Sequence, residues 1–421
     1  MEAKGINALP DELLLKILSS LPMFIDTVPT SLISKRWRNL WKLVPDFNFD
    51  SDLFDDDSES FTSFVYRSLL FSKAQVLERL CLKLNIPYHW DKVIDIWVQT
   101  AVNRSVKELQ INMCGNYLKL PSCLSFCRTL NTLKLRDLRI EVVPSFFRLP
   151  SLKILHLLSV KFSSDESAER LLSNCPVLEN LVVNKKEVDN VMIFNINVPT
   201  LRSLSIDNSE GQKRVKGAEI HGFVVKAPSL MYLNIRDTLS NFLMFEHMPE
   251  VIKANIEVTC DQSEKFIGSL TSIQHLSLCS LTSQTPYHRG SFFFYLEHLE
   301  LCTCSAGWWN LLNHILEDAP RLQSLKLIKS KHRSTRDIHK MTRSNEPEVV
   351  PKSSLTHLEI LEWRKYDGTK QERNMAEYIL ANATCLKMAT FSTTFWNKNH
   401  RKLEKLKSMD RVSKTCQLVF D

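Results

Sequence analysis

The sequence predicts an α/β chain: a short helical segment, then a long row of stacked parallel strands, then a closing segment of strand, helix and strand. Three observations lead to this prediction. A short apolar phrase recurs through the middle of the chain, a helical pattern of apolar residues occupies the first 45 residues, and a separate strand and helix pattern follows residue 350. A chain of 421 residues is long for one compact domain and suits a repeating architecture.

The recurring phrase has three apolar positions, the first separated from the second by two residues and the second from the third by one. Successive side chains of a strand point to opposite faces, so the second and third apolar residues point inward together. One such strand cannot bury its apolar side alone, whereas stacked neighbours share a continuous core. The middle positions are Leu109, Leu133, Leu155, Leu181, Leu204, Leu233, Ala254, Leu276, Leu299, Leu325 and Leu358.

The spacing of these phrases resembles the leucine-rich repeat, because the middle residues follow one another at intervals of 21 to 33 residues. A proline precedes many of the phrases by two residues. Because proline has no N–H to donate to a strand ladder, it suits the start of a strand. The alternative is a sandwich of unrelated amphipathic strands, which eleven phrases in near-constant step disfavour. The asparagine or cysteine expected after each phrase is mostly missing, so the solenoid is predicted to be irregular.

The N-terminal segment has the pattern of an amphipathic helix from Leu9 to Leu21, which Pro22 ends. A second helical face is predicted from Leu32 to Val44, with the basic stretch of residues 34–38 on it. Two or three helices in so few residues cannot bury all of their large apolar side chains, so some of these are expected to face a partner.

The words Leu9-Pro-Asp-Glu-Leu-Leu and Ser34-Lys-Arg-Trp-Arg resemble the F-box of plant F-box proteins, and the resemblance covers residues 5–45. It implies binding to a Skp-type adaptor and, through that adaptor, to cullin and RING subunits. The alternative is a plain helical cap on the solenoid, since terminal repeats need capping. The residues predicted to face the adaptor are apolar: Leu9, Pro10, Ile17, Leu18 and Trp37.

Residues 46–75 are predicted to form an acidic linker followed by a helix. Seven acidic residues fall between Asp46 and Glu59, but the run lacks the turn glycine of a calcium loop. A helical pattern follows from Phe61 to Leu70. The repeats are predicted to occupy residues 76–350, beginning with an imperfect unit around Leu80 and Leu82.

A basic stretch at residues 326–343 is interpreted as a long loop within one repeat. A nucleic-acid site or a nuclear import signal there is an alternative, which the lack of interleaved aromatic residues disfavours. Residues 351–421 combine a helical stretch at 376–386, a strand at 388–392 and an edge strand at 416–420. This order resembles the FBD domain that closes many plant F-box proteins with leucine-rich repeats.

No catalytic or cofactor chemistry is expected from the sequence. It contains none of the G-x-G-x-x-G, Walker, G-x-S-x-G or H-E-x-x-H motifs, and its nine glycines leave little room for phosphate loops. The N-terminus lacks the apolar core of a signal peptide, and no apolar run approaches the length of a membrane span, so no membrane partner is expected. The eleven cysteines are then expected to be thiols in the cytoplasm or nucleus.

The full resemblance is to plant proteins with an N-terminal helical F-box, an irregular leucine-rich-repeat solenoid and a C-terminal FBD cap. It implies the substrate-recognition subunit of an SCF-type ubiquitin ligase. The alternatives are a leucine-rich interaction protein that acts outside such a ligase and, more remotely, a nucleic-acid binder that uses the basic loop.

The target protein is predicted to bind the outward residues of the strands, on the concave side that solenoids commonly use. The alternative is a binding site on the loops. In each phrase the outward residues flank the middle apolar position, and the last phrase would contribute His357 and Glu359. The predicted target-binding residues are His275, Ser277, His298, Glu300, Ser324 and Lys326.

Overall fold

The computed structural model describes eleven stretches of the chain: residues 6–55, 57–85, 90–186, 190–210, 220–246, 248–259, 269–280, 293–305, 307–329, 355–393 and 400–420. The chain divides into two compact units, residues 1–200 and 201–421. The α-helices of the described residues are α1 (Asp11–Ser19), α2 (Ser58–Phe71), α3 (Asp91–Asn103), α4 (Asp165–Ser173), α5 (Trp308–Asp318), α6 (Lys370–Asn382) and α7 (His400–Lys407).

The first unit contains a parallel sheet whose strands follow chain order. Its neighbouring strands are β1 (Asp46–Asp50), β2 (Arg79–Lys83), β3 (Glu108–Asn112), β4 (Thr132–Ile140), β5 (Ile154–Phe162) and β6 (Asn180–Asn184). A further strand, β7 (Ile193–Asn197), contacts α4. Short 3-10 helices fill several connections, at Ile6–Ala8, Phe24–Leu32, Trp37–Leu43, Ser51–Phe54 and Ser122–Phe126.

The second unit also contains a parallel sheet, with its strands again in chain order apart from two that pair separately. The sheet runs through β8 (Ser203–Asn208), β10 (Tyr232–Asp237), β12 (Lys253–Val258), β13 (His275–Ser280), β14 (His298–Cys302), β15 (Ser324–Ile328), β16 (Ile360–Arg364), β17 (Met388–Phe391) and β18 (Gln417–Phe420). The two remaining strands, β9 (Gly222–Lys226) and β11 (Phe242–Glu246), pair with each other in parallel.

The predicted repeat register is confirmed from Leu109 to Leu181 in the first unit and from Leu204 to Leu325 in the second. Leu276, Leu299 and Leu325 are directly opposite one another on adjacent strands, and each is buried. The third apolar position of each phrase is aligned and buried in the same way, as Leu278 and Leu301 show. The alternation of the sequence therefore produces two inward ladders of apolar side chains, one for each inward position.

The predicted register of the last phrase is wrong by three residues. Leu325 is opposite Leu361 rather than Leu358, and Trp363 occupies the third inward position. The segment from Leu358 to Trp363 contains a second match to the same phrase, so the pattern alone was ambiguous. The structure selects the register that buries the large Trp363 side chain and leaves Ile360 40% exposed.

The acidic segment after residue 45 was predicted to be a linker, and this prediction is wrong. The segment forms the first strand of the sheet. Phe47 and Phe49 alternate with polar residues in β1, and both are buried. Asp50 at the end of the strand is also buried and pairs with Lys83 of β2 at 2.9 Å. The predicted helix is confirmed as α2, and the imperfect repeat around Leu80 is confirmed as β2, which pairs with β1 and β3.

The second helical segment of the N-terminus is a pair of 3-10 helices rather than an α-helix. The hydroxyl groups of Thr27 and Thr30 donate to the carbonyl oxygens three residues earlier, at 2.7 and 2.5 Å, and Pro29 has no N–H to donate. These features favour the tighter turn. The segment is joined to the sheet through Phe24, whose ring stacks on Phe47 at 4.3 Å.

The C-terminal strand, helix and strand are confirmed as β16, α6 and β17, with β18 at the edge of the sheet. Helix α6 begins earlier than predicted, because Thr369 and Glu372 form a capping box at its start. Helix α7 was not predicted. The predicted basic loop lies, from residue 330 onward, outside the described residues.

The last residue of β10, Asp237, has a buried carboxyl group. Asp237 is 2% exposed, and its Oδ1 accepts hydrogen bonds from Asn208 Nδ2 at 2.9 Å and from the backbone N–H of Ser240 at 3.0 Å. Its Oδ2 has no hydrogen-bond partner among the described residues. Burial therefore raises the pKa of Asp237.

The substitution Asp237→Asn is expected to make the protein more stable at neutral pH and less sensitive to pH. A raised pKa means that the folded state binds more protons than the unfolded state above about pH 4, so the wild type loses stability as pH rises through the folded pKa. Asparagine keeps the Oδ1 acceptor and cannot ionise. Urea unfolding between about pH 4 and pH 8 measures this slope.

Asp207→Asn is the matched control, because Asp207 is also near a strand end but only half-buried. This variant is expected to keep the wild-type pH slope. An Asp237→Asn protein less stable than the wild type near pH 8 would contradict the assignment.

Candidate interaction surfaces

Helix α1 divides its apolar residues between the core and the surface. Leu14 and Leu18 are buried, whereas Leu13 and Ile17 are 42% and 37% exposed. Residues four apart lie on the same face of a helix, so each pair forms its own stripe. We give the name N-terminal apolar surface to five of the exposed apolar residues between positions 10 and 33: Pro10, Leu13, Ile17, Leu32 and Ile33.

The predicted adaptor-facing set is only partly on the surface. Pro10 and Ile17 are exposed and Leu9 is half-buried, but Leu18 and Trp37 are each 1% exposed. The prediction that Leu18 and Trp37 lie on the surface is therefore wrong. Both lie inside the helical segment because distant residues cover them, and Trp37 Nε1 donates to Asn7 Oδ1 at 2.7 Å.

Arg36 fixes the position of the basic stretch against the start of α1. Its Nε donates to Asp11 Oδ1 at 2.7 Å, its Nη2 also contacts that carboxylate, and its Nη1 donates to the backbone oxygen of Asn7 at 2.6 Å. An exposed ion pair of this kind contributes at most about 1 kcal/mol to stability. Its main effect is geometric, because it fixes Ser34–Trp37 against the residues that begin α1.

The structure brings all six predicted target-binding residues together on the outward face of β13, β14 and β15. They form two rows across the strands, which we call row A and row B. In row A, His275, His298 and Ser324 are opposite one another on adjacent strands. In row B, Ser277, Glu300 and Lys326 are aligned in the same way.

The side chains of these two rows contact their neighbours in each row. The rings of His275 and His298 are stacked, with centroids 4.4 Å apart and planes 1° from parallel. Ser277 Oγ donates to Glu300 Oε1 at 3.3 Å, and Lys326 Nζ is 2.7 Å from Glu300 Oε2. The charges of row B thus neutralise each other at this point.

Both rows continue onto strands that the predicted set did not include. In row B, Asn255 Nδ2 donates to Asn234 Oδ1 at 3.0 Å, and Asn234 Nδ2 donates to Ser205 Oγ at 3.1 Å. The repeat register contained the signal for these residues, because they occupy the same position as Ser277. On β16 the outward residues are Ile360 and Glu362, not His357 and Glu359, as a consequence of the corrected register.

The thiol of Cys279, on the strand that carries Ser277, favours its protonated form. Hydrogen bonds with Cys302 and Cys304, together with burial, raise the pKa of Cys279, and the sulfur atoms of Cys302 and Cys304 are 2.7 Å apart. Metal ligation and nucleophilic attack both require the thiolate. Among the described residues, no group of three or more histidine, cysteine, aspartate or glutamate side chains is arranged to hold a metal ion. Within the same residues, the helices are too short or too polar to span a bilayer.

Comparison with known proteins identifies similarity to three family models along the chain. Residues 6–42 match an F-box-like segment, residues 94–255 match the leucine-rich repeats of an FBD-associated F-box protein, and residues 346–391 match the FBD domain.

Individual relatives match nearly the whole chain. The chain is 63% identical over 418 residues to a putative FBD-associated F-box protein of Arabidopsis thaliana, covering 99% of each chain. It is 48% identical over 420 residues to an F-box/FBD/LRR-repeat protein of the same plant, covering 99% of this chain and 92% of the relative. A second F-box/FBD/LRR-repeat protein is 40% identical over 422 residues, with 99% of this chain and 98% of the relative covered.

Proposed function

This chain belongs to the family of plant F-box proteins that combine leucine-rich repeats with an FBD domain, and we propose that it is the substrate-recognition subunit of an SCF-type ubiquitin ligase. The observation that carries the proposal is that one chain has two surfaces of different chemistry. The N-terminal apolar surface lies in the segment similar to an F-box, and a patterned polar strand face lies in the second unit.

The N-terminal apolar surface is the proposed contact with a Skp-type adaptor. Leu32 is 88% exposed and Ile33 is 50% exposed, although an isolated domain gains nothing from leaving such side chains in water. Burying them against a partner would contribute about 25 cal/mol for each Å² of apolar surface removed from water. The adaptor would in turn connect this chain to cullin and RING subunits.

The outward strand face of the second unit is the proposed contact with the target protein. Rows A and B present histidine, serine, asparagine and charged groups, which suit a polar segment of a protein better than an apolar small molecule. The rigid sheet beneath them supports this role, because a site on regular elements keeps its geometry better than a site on loops.

The chain itself would supply proximity rather than bond chemistry. Ubiquitin transfer depends on holding a target lysine close to the charged conjugating enzyme, which converts an encounter in solution into a reaction within one assembly. We propose the cytoplasm or nucleus for this activity, because a reducing compartment would keep the eleven cysteines of the chain as thiols.

Affinity purification of the full chain from plant cells tests the proposal. The Skp-type adaptor, the cullin and the RING subunit are expected to co-purify, together with at least one protein that accumulates when the proteasome is inhibited. Recovery of partners without adaptor or cullin would contradict the proposal and favour an interaction protein that acts outside a ligase.

Ser324→Trp tests the target face in the same purification. This serine is between His298 and Ile360 in row A, and a bulky side chain there is expected to block target capture without changing any charge. Ser203→Trp is the matched control, because Ser203 is a half-buried serine at the equivalent position of β8. Both variants are expected to retain the adaptor. Equal target capture by both would move the target site away from this face.

A further inference from the structure

The centre of row A is a run of three groups that carry or can acquire positive charge. Lys253 of β12 is opposite His275 of β13, and His275 is opposite His298 of β14. Lys253 and His298 are exposed, and His275 is half-buried. We call these three residues the basic run.

The other basic residues that the structure describes on the outward strands of this sheet face are already paired. Arg236 Nε is 3.3 Å from Glu257 Oε2, and Arg364 contacts Glu362 on the same strand. Lys326 is paired with Glu300, as described above. The ammonium group of Lys253, by contrast, has no ion pair or hydrogen bond with any residue that the structure describes. The basic run is therefore where this face has positive charge to offer a partner.

The groups of the basic run are close enough to affect one another. The pKa of His275 is lowered first by burial and then by the nearby charges of His298 and Lys253, while Glu297 acts weakly in the opposite direction. A carboxylate placed over these three groups would relieve the repulsion between them and accept hydrogen bonds from the imidazole and ammonium groups.

Row A has two apolar side chains beyond the basic run, before it reaches Gln417 on the edge strand β18. Ser324 is followed by Ile360 on β16 and Met388 on β17, and these are 40% and 39% exposed. Parallel strands are about 4.8 Å apart, so Ile360 lies roughly 14 Å from His275 along the row. An extended peptide spans that distance in about four residues.

We propose that row A binds an extended segment in which aspartate or glutamate side chains contact Lys253, His275 and His298 and an apolar side chain about four residues away contacts Ile360 and Met388. This inference rests on the proposed function, because it names the chemistry of the target segment. Carboxylates fit this run better than phosphates, since phosphate recognition commonly relies on the two-pronged donors of arginine and row A has none on these strands.

Selection from a displayed library of random nonapeptides on the immobilised full chain tests the proposal. Peptides with acidic residues and an apolar residue four to five positions away are expected to be enriched about tenfold, which corresponds to about 1.4 kcal/mol. Selection of peptides without this pattern, or no enrichment at all, would overturn the proposal.

Two variants assign each part of the pattern to its residues. Lys253→Glu with His298→Glu is expected to select basic peptides instead of acidic ones. Ile360→Ser with Met388→Ser is expected to retain the acidic preference and lose the apolar one. Unchanged selection by either variant would refute that assignment.

A folding control and an independent readout keep the outcomes separate. If the charge-reversed variant has a lowered thermal midpoint, Lys253→Gln with His298→Gln replaces it and is expected to lose the acidic preference without gaining a basic one. Failure of the library pattern while the full chain still co-purifies with adaptor, cullin and target would reject only this inference. Loss of adaptor and cullin from the purification would reject the proposed function.

Discussion

Replacing Leu299 with alanine is expected to lower the free energy of unfolding by about 2–5 kcal/mol, the range that buried leucine truncations cover. Leu299 is 2% exposed and lies between Leu276 and Leu325 in an inward ladder of the sheet. Its removal leaves a cavity that neighbouring strands cannot close without breaking their register. Leu155→Ala is expected to have a similar effect in the first unit, where Leu155 is fully buried between Leu133 and Leu181.

Reversible urea unfolding of the full chain, followed by circular dichroism, measures this change. The matched control is His298→Ala, which removes the exposed side chain next to Leu299 on the same strand. Surface substitutions of this kind usually change stability by less than about 0.5 kcal/mol. An equally small change for both Leu299→Ala and Leu155→Ala would show that the inward ladder has been misidentified.

Replacing both Leu13 and Ile17 with aspartate is expected to weaken binding to a Skp-type adaptor roughly 1,000-fold, because central apolar anchors of an interface contribute about 2 kcal/mol or more each. Both side chains are exposed on the same stripe of α1. The charge that replaces them would have to be desolvated without a partner. The fold should tolerate the change, because Leu14 and Leu18 hold the neighbouring stripe in the core.

Titration of purified adaptor against the full chain measures this loss. Glu12→Gln with Lys16→Gln is the matched control, since both residues are exposed on a neighbouring face of α1. It is expected to leave the affinity within about threefold of wild type. Trp37→Ala serves as a contrast: it is expected to lower the thermal midpoint, because Trp37 is buried. Full adaptor binding by the Leu13→Asp and Ile17→Asp double variant would exclude this stripe as the contact.

The candidate target face could be predicted from the repeat alone. His275, His298 and Ser324 are far apart in the chain, yet their position in the phrase placed them in one row. Equivalent positions of a repeat are superposed when parallel strands stack in register, so sequence position translates directly into spatial position. The ion pair of Glu300 with Lys326 and the stacking of the two histidines required the coordinates, because rotamers depend on neighbours from other strands.

The adaptor surface was less predictable because the helical pattern was broader than one stripe. Leu13, Leu14, Ile17 and Leu18 all belong to one wide apolar face, and helical periodicity does not say which pair is covered. The answer depends on distant residues that pack against the helix, as Asn7 does on Trp37.

By itself, the sequence determined the repeating parallel strands, their register from Leu109 to Leu181 and from Leu204 to Leu325, and the outward rows. A strand alternates every two residues, so a slip would expose every inward leucine. Only the tertiary structure decided that the acidic segment is a strand, that the last phrase uses Leu361 and Trp363, and that Leu18 and Trp37 are interior. These outcomes depend on contacts between residues far apart in the chain, such as Phe24 on Phe47, and burial against a distant partner outweighs local composition.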